Sequence, residues 1–282
     1  MMKKLLALLL CLTLVVASFS AAFMDRDSNT DGTYINLGDK ANFNWMHGDG
    51  YNDDFKWTIS CWVKFNAWPD VYSVIFSTQA GSASHKGVVG MFDASGEFYR
   101  IISDGSAVLA GSTVAIDLPI DGDWHHFAWT YDSTPANGNS KIYVDGVLKE
   151  TANKTANGGN GTSSHYPFIS GYTSDLTNIY GGINGYIDDY RIYRVEALDQ
   201  KAITEIYNGR GTDSYLDLYT NVYASKAVLY RRFMFQEKAN GGFVNKVSDS
   251  SLYRGDATGG SPSSADLPKS VGSELKFKKA RN

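Results

Sequence analysis

The sequence predicts an all-β protein built as a two-sheet sandwich, and three observations carry that expectation. Short apolar segments with period-two alternation recur from about residue 33 to residue 194, separated by Gly, Asp, Asn and Ser. Residues 121–150 contain two such segments and the start of a third, joined by turn formers, which is the pattern of an antiparallel meander. No apolar stripe of helical period occurs before residue 196.

The chain opens on Lys3 and Lys4, an apolar run from Leu5 to Ala17, and small residues to Ala22. A basic start, a short apolar run and a small-residue end describe a secretory signal peptide over residues 1–22, too short for a membrane span. The mature chain is therefore expected to begin between Ala21 and Phe23, to be secreted or held at the cell surface, and to insert no segment in the membrane. Cys11 follows Leu8, Leu9 and Leu10, and so lacks the small residue that a lipoprotein signal places before its cysteine. Without Lys3 and Lys4 the chain keeps 24 basic against 30 acidic residues. That acidic balance argues against a nucleic-acid partner, which requires a basic footprint. With 43% hydrophobic and 20% charged residues, the chain can fill a core and is not compositionally disordered.

Thr33, Ile35 and Leu37 alternate as a first short strand, entered through the acidic turn of Asp25, Asp27, Asn29 and Asp31. Residues 42–54 are polar and turn-rich, and read as a loop holding Trp45 and His47. In the next strand Trp57, Ile59, Cys61, Val63 and Phe65 share one face, with Thr58, Ser60, Trp62 and Lys64 opposite. Cys61 is the single cysteine left after cleavage, so the fold has no internal disulfide, and its position on the apolar face makes it a small core hydrophobe. Further strands are expected at 71–77, 87–92, 97–103 and 107–109, the last two turning at Asp104-Gly105.

The meander follows. His125, Phe127, Trp129 and Tyr131 point one way, and Trp124, His126, Ala128 and Thr130 the other. Neighbouring imidazoles on opposite faces cannot chelate one ion, so His125-His126 reads as one core-facing and one surface histidine. Asp145-Gly146 is a two-residue hairpin turn needing positive φ. Residues 149–164 are polar and read as a surface loop; Asn153 and Asn160 begin N-glycosylation patterns that arise readily by chance. A strand ending near Tyr193 precedes the one clear helix, about Leu198 to Tyr207, with Asp199 as its cap, Ala202, Ile203 and Ile206 on one face, and Asn208-Gly209 as its stop. Beyond that, residues 228–235 read as a strand and the basic end as a solvated, partly disordered tail.

Two motifs carry a family resemblance. Trp124-His125-His126 leading to Thr130-Tyr131, then Lys141 to Gly146 with its Tyr-Val-Asp-Gly turn, is similar to the central hairpin of the laminin-G-like branch of the concanavalin-A-like jelly rolls. Gly185, Ile187, Asp188, Asp189, Arg191 and Tyr193 match that family's closing strand. Asp31-Gly32 through Leu37-Gly38 resembles its opening, and Asp249 to Pro262 resembles an extension associated with such proteins in phages and environmental bacteria. The resemblance implies a concanavalin-A-like β-sandwich over residues 23–208, with one short C-terminal helix and an irregular extension over 209–282.

The enzymes of this fold hydrolyse β-glucans with two carboxyl groups on one strand, spaced E-x-D-x-E or one residue wider. The glutamates here stand at 97, 150, 196, 205, 237 and 274, none four or five apart. Adjacent Asp188 and Asp189 point to opposite faces and cannot replace the pair. No G-x-S-x-G segment supports a serine nucleophile. The chain is thus expected to be no enzyme.

Relatives of this fold carry calcium at a rim, and Asp27 and Asp31 of the opening turn with Asp188 and Asp189 of the closing strand offer hard oxygen ligands. The alternative is that these acids serve turns and an ion pair with Arg191. Among 18 Tyr and 6 Trp, those in turn-rich segments are candidate sugar-stacking rings: Trp45, Trp68, Tyr166, Tyr172 and Tyr180. The expected function is binding or adhesion to a carbohydrate or glycoprotein surface. The competing expectation is an assembly component of a virion, fibre or surface layer, which would oligomerise.

Overall fold

The computed structural model describes residues 22–24, 35–37, 40–47, 55–69, 71–79, 84–105, 108–134, 139–153, 163–172, 181–194, 197–209, 228–233, 235–237 and 243–245. Asp25, Asp27, Asn29, Asp31, Tyr180, most of the predicted signal peptide and the basic C-terminal end lie outside the described residues.

Strands are numbered in chain order. The first sheet runs β1 (Ala22–Met24), β12 (Gly185–Arg194), β3 (Lys56–Phe65), β8 (His125–Asp132), β9 (Ser140–Val144) and β10 (Val147–Ala152), with β13 (Val228–Phe233) also paired to β12. The second runs β2 (Ile35–Asn36), β11 (Phe168–Ile169), β4 (Tyr72–Ser77), β5 (Lys86–Asp93), β6 (Glu97–Asp104) and β7 (Val108–Ala115). A small hairpin, β14 (Phe235–Glu237) with β15 (Phe243–Asn245), stands apart. The pairing within each sheet is antiparallel, as the meander pattern predicts.

The core forms where the alternation aims it. Trp57, Ile59, Cys61, Val63 and Phe65 of β3 pair across to Tyr131, Trp129, Phe127 and β12, and all are buried. Trp57 and Trp129 meet edge to face at 4.6 Å between centroids, and Phe98 of the opposite sheet approaches Trp129 at 5.6 Å. Gly90 sits beneath this contact: a Cβ there would lie 2.8 Å from both Phe98 and Trp129. Only glycine lets the two sheets close over these rings. Cys61 is free and buried, in keeping with its expected role.

The outer face of the first sheet is covered as well. Thr58, Ser60, Trp62, His126, Thr130, Arg191 and Tyr193 on that face are buried. Helix α1 (Gln200–Asn208) is the described cover: Tyr207 stacks on Trp62 at 5.5 Å, and Leu198 N–H donates to Thr58 Oγ1. Ala202, Ile203 and Ile206 are its buried face. Asp199 caps the helix by accepting the Ala202 N–H at 2.9 Å, as the sequence predicts.

One expectation is corrected. Lys40–Met46 is a 3-10 helix rather than a loop. Phe43 and Met46, three residues apart, share a face in that geometry and are both fully buried, so tertiary burial overrides the polar turn signals around them. Within the expected strand at 228–235, β13 adds to the same β12 edge that β1 occupies.

Candidate functional site

The outer face of the second sheet carries the arrangement of rings best suited to a ligand. Register places Val74, Met91 and Tyr99 in one row across β4, β5 and β6, and Val89 beside Ile101 in the next. Val74, Val89, Met91 and Ile101 are buried as an apolar floor, and the partly buried rings of Tyr72, Tyr99 and Tyr172 pack against it. Tyr72 and Tyr99 stack at 6.3 Å. Burial, then the neighbouring Tyr72, raises the Tyr99 hydroxyl above its ordinary value, so it stays a neutral donor and acceptor at any physiological pH.

Tyr172 is brought to this face by a tight neck. Ser170, buried with φ of 61°, accepts the Ile183 N–H through Oγ at 2.9 Å. Ser77 Oγ donates to Gly171 O at 2.6 Å, and Val74 N–H to Gly181 O at 2.7 Å. Gly181 has positive φ, and a Cβ there would lie 2.6 Å from Val74. Ser77, Ser170, Gly171 and Gly181 therefore fit the chain closely against the floor.

Beyond Tyr172 stand two imidazoles. His165 lies 6.4 Å from Tyr172 and meets His85 edge to face at 4.7 Å. Residues 163–166 are stitched to β5: Ser164 N–H donates to Lys86 O and Lys86 N–H returns to Ser164 Oγ, both at 2.7 Å. His47 contacts Ser163 Oγ at 3.0 Å, and the Lys40 ammonium lies 4.5 Å over the Tyr166 ring. The face thus offers half-buried tyrosine rings and their hydroxyls, groups that stack on sugar C–H faces and pair with sugar hydroxyls, with His165 buried beside them.

Of the five candidate rings, the structure brings Tyr172 to this face and places Tyr166 at the adjoining corner. Trp45 is corrected: it is 8% exposed, covered by the Arg194 guanidinium at 5.2 Å, because the 3-10 helix turns it into the core. Trp68 is half-buried, packing on Phe65 and Phe92 and against the Asp93–Gly96 turn, where a Cβ on Gly96 would strike its ring at 2.5 Å. Tyr72, Tyr99, His85 and His165 were not among the expected residues. Their signal was Tyr72 with Val74, Val89 with Met91 and Tyr99 with Ile101, an apolar second face on strands whose other face is also apolar.

The described acids of the predicted calcium set, Asp188 and Asp189, are engaged with their neighbours. Asp189 accepts both Nε and Nη2 of Arg191, and the pair is buried. Asp188 Oδ1 accepts the Asp189 N–H at 2.7 Å. β1 leaves β12 at Gly185, on the side away from Asp188. Among the described residues, no group of three or more His, Cys, Asp or Glu is placed to hold a metal.

A Ser–His contact does exist, Ser60 Oγ to His126 Nε2 at 2.7 Å. Both residues are buried beneath α1, and His126 is pushed down to about 3, by burial first and by Arg191 next. A base so weak, with no route for substrate, holds the sheet rather than activating a nucleophile.

The model of the concanavalin A-like lectin/glucanases superfamily matches residues 27–204. No curated protein matches the chain. Similar solved structures include a Bacteroides ovatus protein assigned to carbohydrate binding, with TM-score 0.49, 16% identity, and cover of 79% of this chain and 56% of that one. A heptameric SAP-like pentraxin of Limulus polyphemus matches with TM-score 0.40, 11% identity, and cover of 63% and 82%. A botulinum neurotoxin type C structure, described with two ganglioside molecules, matches with TM-score 0.46, 16% identity, and cover of 68% and 47%. The chain spans just over half the length of the first of these.

Proposed function

The chain belongs to the concanavalin A-like lectin/glucanase superfamily, and on that premise we propose that it is a secreted, non-catalytic module that binds glycan or a glycoprotein surface. One observation carries the reading: three partly exposed tyrosines packed on a sealed apolar floor, Tyr72, Tyr99 and Tyr172. Rigid aromatic rings over a closed floor offer stacking area at little ordering cost. The lectin side of the superfamily is favoured over the glucanase side because the glutamate spacing that retaining hydrolysis uses on one strand is missing.

A glycan-array screen of the mature chain tests this, repeated with Tyr99→Ala and Tyr172→Ala. Each substitution should weaken a positive signal at least tenfold, the loss of about 1.4 kcal/mol, while far-UV circular dichroism is unchanged. A signal that survives both substitutions would refute this face as the site; release of reducing ends from β-glucans would refute the non-catalytic reading.

The assembly reading has one observation in its favour. On edge strand β10, Val147 and Leu148 are 57% and 41% exposed. A concentration-dependent oligomer that Val147→Lys dissolves would support it.

A further inference from the structure

The cover that α1 gives the outer face of the first sheet stops short of one end of that face. Tyr207 lies on Trp62 at 5.5 Å and on His126 at 6.0 Å between centroids, and the helix ends at Asn208. Lys64 stands two residues beyond Trp62, and Trp124 two before His126, so strand alternation returns both to the same face. Tyr186 pairs with Lys64 across β12 and β3, and the Val63–His125 pair brings Trp124 to the other side of Lys64. The result is a row of ring, ammonium and ring, each residue half-buried. The rings of Trp124 and Tyr186 stand 6.2 Å apart at 60°, and Lys64 Nζ lies 6.0 Å from the Tyr186 centroid.

The next row carries amides. Asn66 N–H donates to Asn184 O at 2.9 Å, and Asn66 Nδ2 donates to Asn184 Oδ1 at 3.3 Å. Asn66 Oδ1 and Asn184 Nδ2 are thereby left to accept from and donate to a ligand, on one exposed and one half-buried side chain. Gly122, two residues before Trp124, is exposed, and a Cβ built there would meet nothing within 4 Å, so the shelf is open on that side.

The charge at its centre is uncompensated. Lys56, at the start of β3, pairs with Asp132 at 2.9 Å, whereas Lys64 has no carboxylate partner among the described residues. On the adjoining turn, Asp121 is taken by His125 and by the Asp123 N–H. We propose that this end of the first sheet is a second binding site, for a glycan residue that carries a carboxylate. The rings take its C–H face, the two amides its hydroxyls, and Lys64 its carboxylate by a charge-assisted hydrogen bond. The site lies on the opposite side of the sandwich from the tyrosine face and uses none of its residues.

Calorimetric titration of the mature chain at low salt with 3′-sialyllactose, digalacturonate and lactose tests this. One of the acidic sugars should bind roughly tenfold or more tightly than lactose, and weaken as salt is added; which one binds distinguishes a sialic acid from a uronic acid. Lys64→Met keeps the apolar stem against the sheet and should abolish the preference over lactose, and Lys64→Arg should restore most of it. Trp124→Ala should weaken the acidic sugar with far-UV circular dichroism unchanged. The preference should persist in Tyr99→Ala, so that failure of one face is read separately from failure of the other. No binding of either acid, or a preference over lactose that survives Lys64→Met, would overturn the proposal and leave Lys64 a packing residue of the sheet.

Discussion

His125 and His126 are neighbours in sequence and opposite in chemistry. His125 Nδ1 lies 2.8 Å from Asp145 Oδ2 and Nε2 lies 3.0 Å from Asp121 Oδ1. Burial alone would lower its pKa; the bonds to the two carboxylates outweigh that and raise it, because an imidazolium donates from both nitrogens. Its contribution to stability is thus fully present below the unfolded value of about 6.5 and is lost as pH rises through the folded value. His126 is held down to about 3, so its contribution is present above about 6.5 and is lost as pH falls towards 3. By NMR, the His125 ring should titrate above the ordinary histidine value, and the His126 ring should stay neutral down to the acid transition. His125→Gln should lower Tm at pH 6 and lose that deficit as the pH is raised past the folded value of His125. A pH-independent deficit would show that His125 acts by packing alone. Of the two histidines, His126 is the buried one, beneath α1, and His125 is half-buried at the start of β8.

At the scale of elements, the sandwich is closed along one side by β6 and β10. Arg100 points inward from β6, is 2% exposed, and reaches Glu150 on β10 at 2.5 Å. Its Nε and Nη1 are buried with no hydrogen-bond partner among the described residues. Burial accordingly lowers the Arg100 pKa, against the opposing effect of Glu150. Removing one partner leaves a buried charge, so Glu150→Gln should destabilise by about 3 kcal/mol. Arg100→Met removes the desolvated cation and should cost less than Glu150→Gln, or stabilise. Urea denaturation of both variants checks the order; a costlier Arg100→Met would make the guanidinium a net stabiliser. These elements were legible to different degrees. β3 and β8 could be read because their large apolar residues recur at a two-residue period in local sequence, even though both faces are buried. The 3-10 helix at Lys40–Met46 could not, since its signal is two residues three apart within a polar run. The Tyr72, Tyr99 and Tyr172 face was hidden for another reason. No single segment holds it; it exists only after β4, β5 and β6 align in register and Tyr172 packs against them.

For the whole molecule, the first sheet is covered on both sides, by the second sheet within and by α1 without. Cys61 is at its centre, paired through Phe127 to β8 and flanked by β12. Burial, and after it the charge of Asp189, pushes the thiol well above its ordinary value, so almost no thiolate exists at pH 8. No local fraying reaches this position; a reagent meets the sulfur only when β3 separates from its neighbours, which is global unfolding. Labelling of Cys61 in the native protein at pH 8 should therefore proceed at a rate that follows the global unfolding equilibrium, rising with urea along the same slope as loss of tryptophan fluorescence. Reductant should leave Tm unchanged, because Cys61 is free and buried. Labelling that is fast and independent of urea while fluorescence remains native would mean that the first sheet opens on its own, and the picture of a single cooperative sandwich would fail.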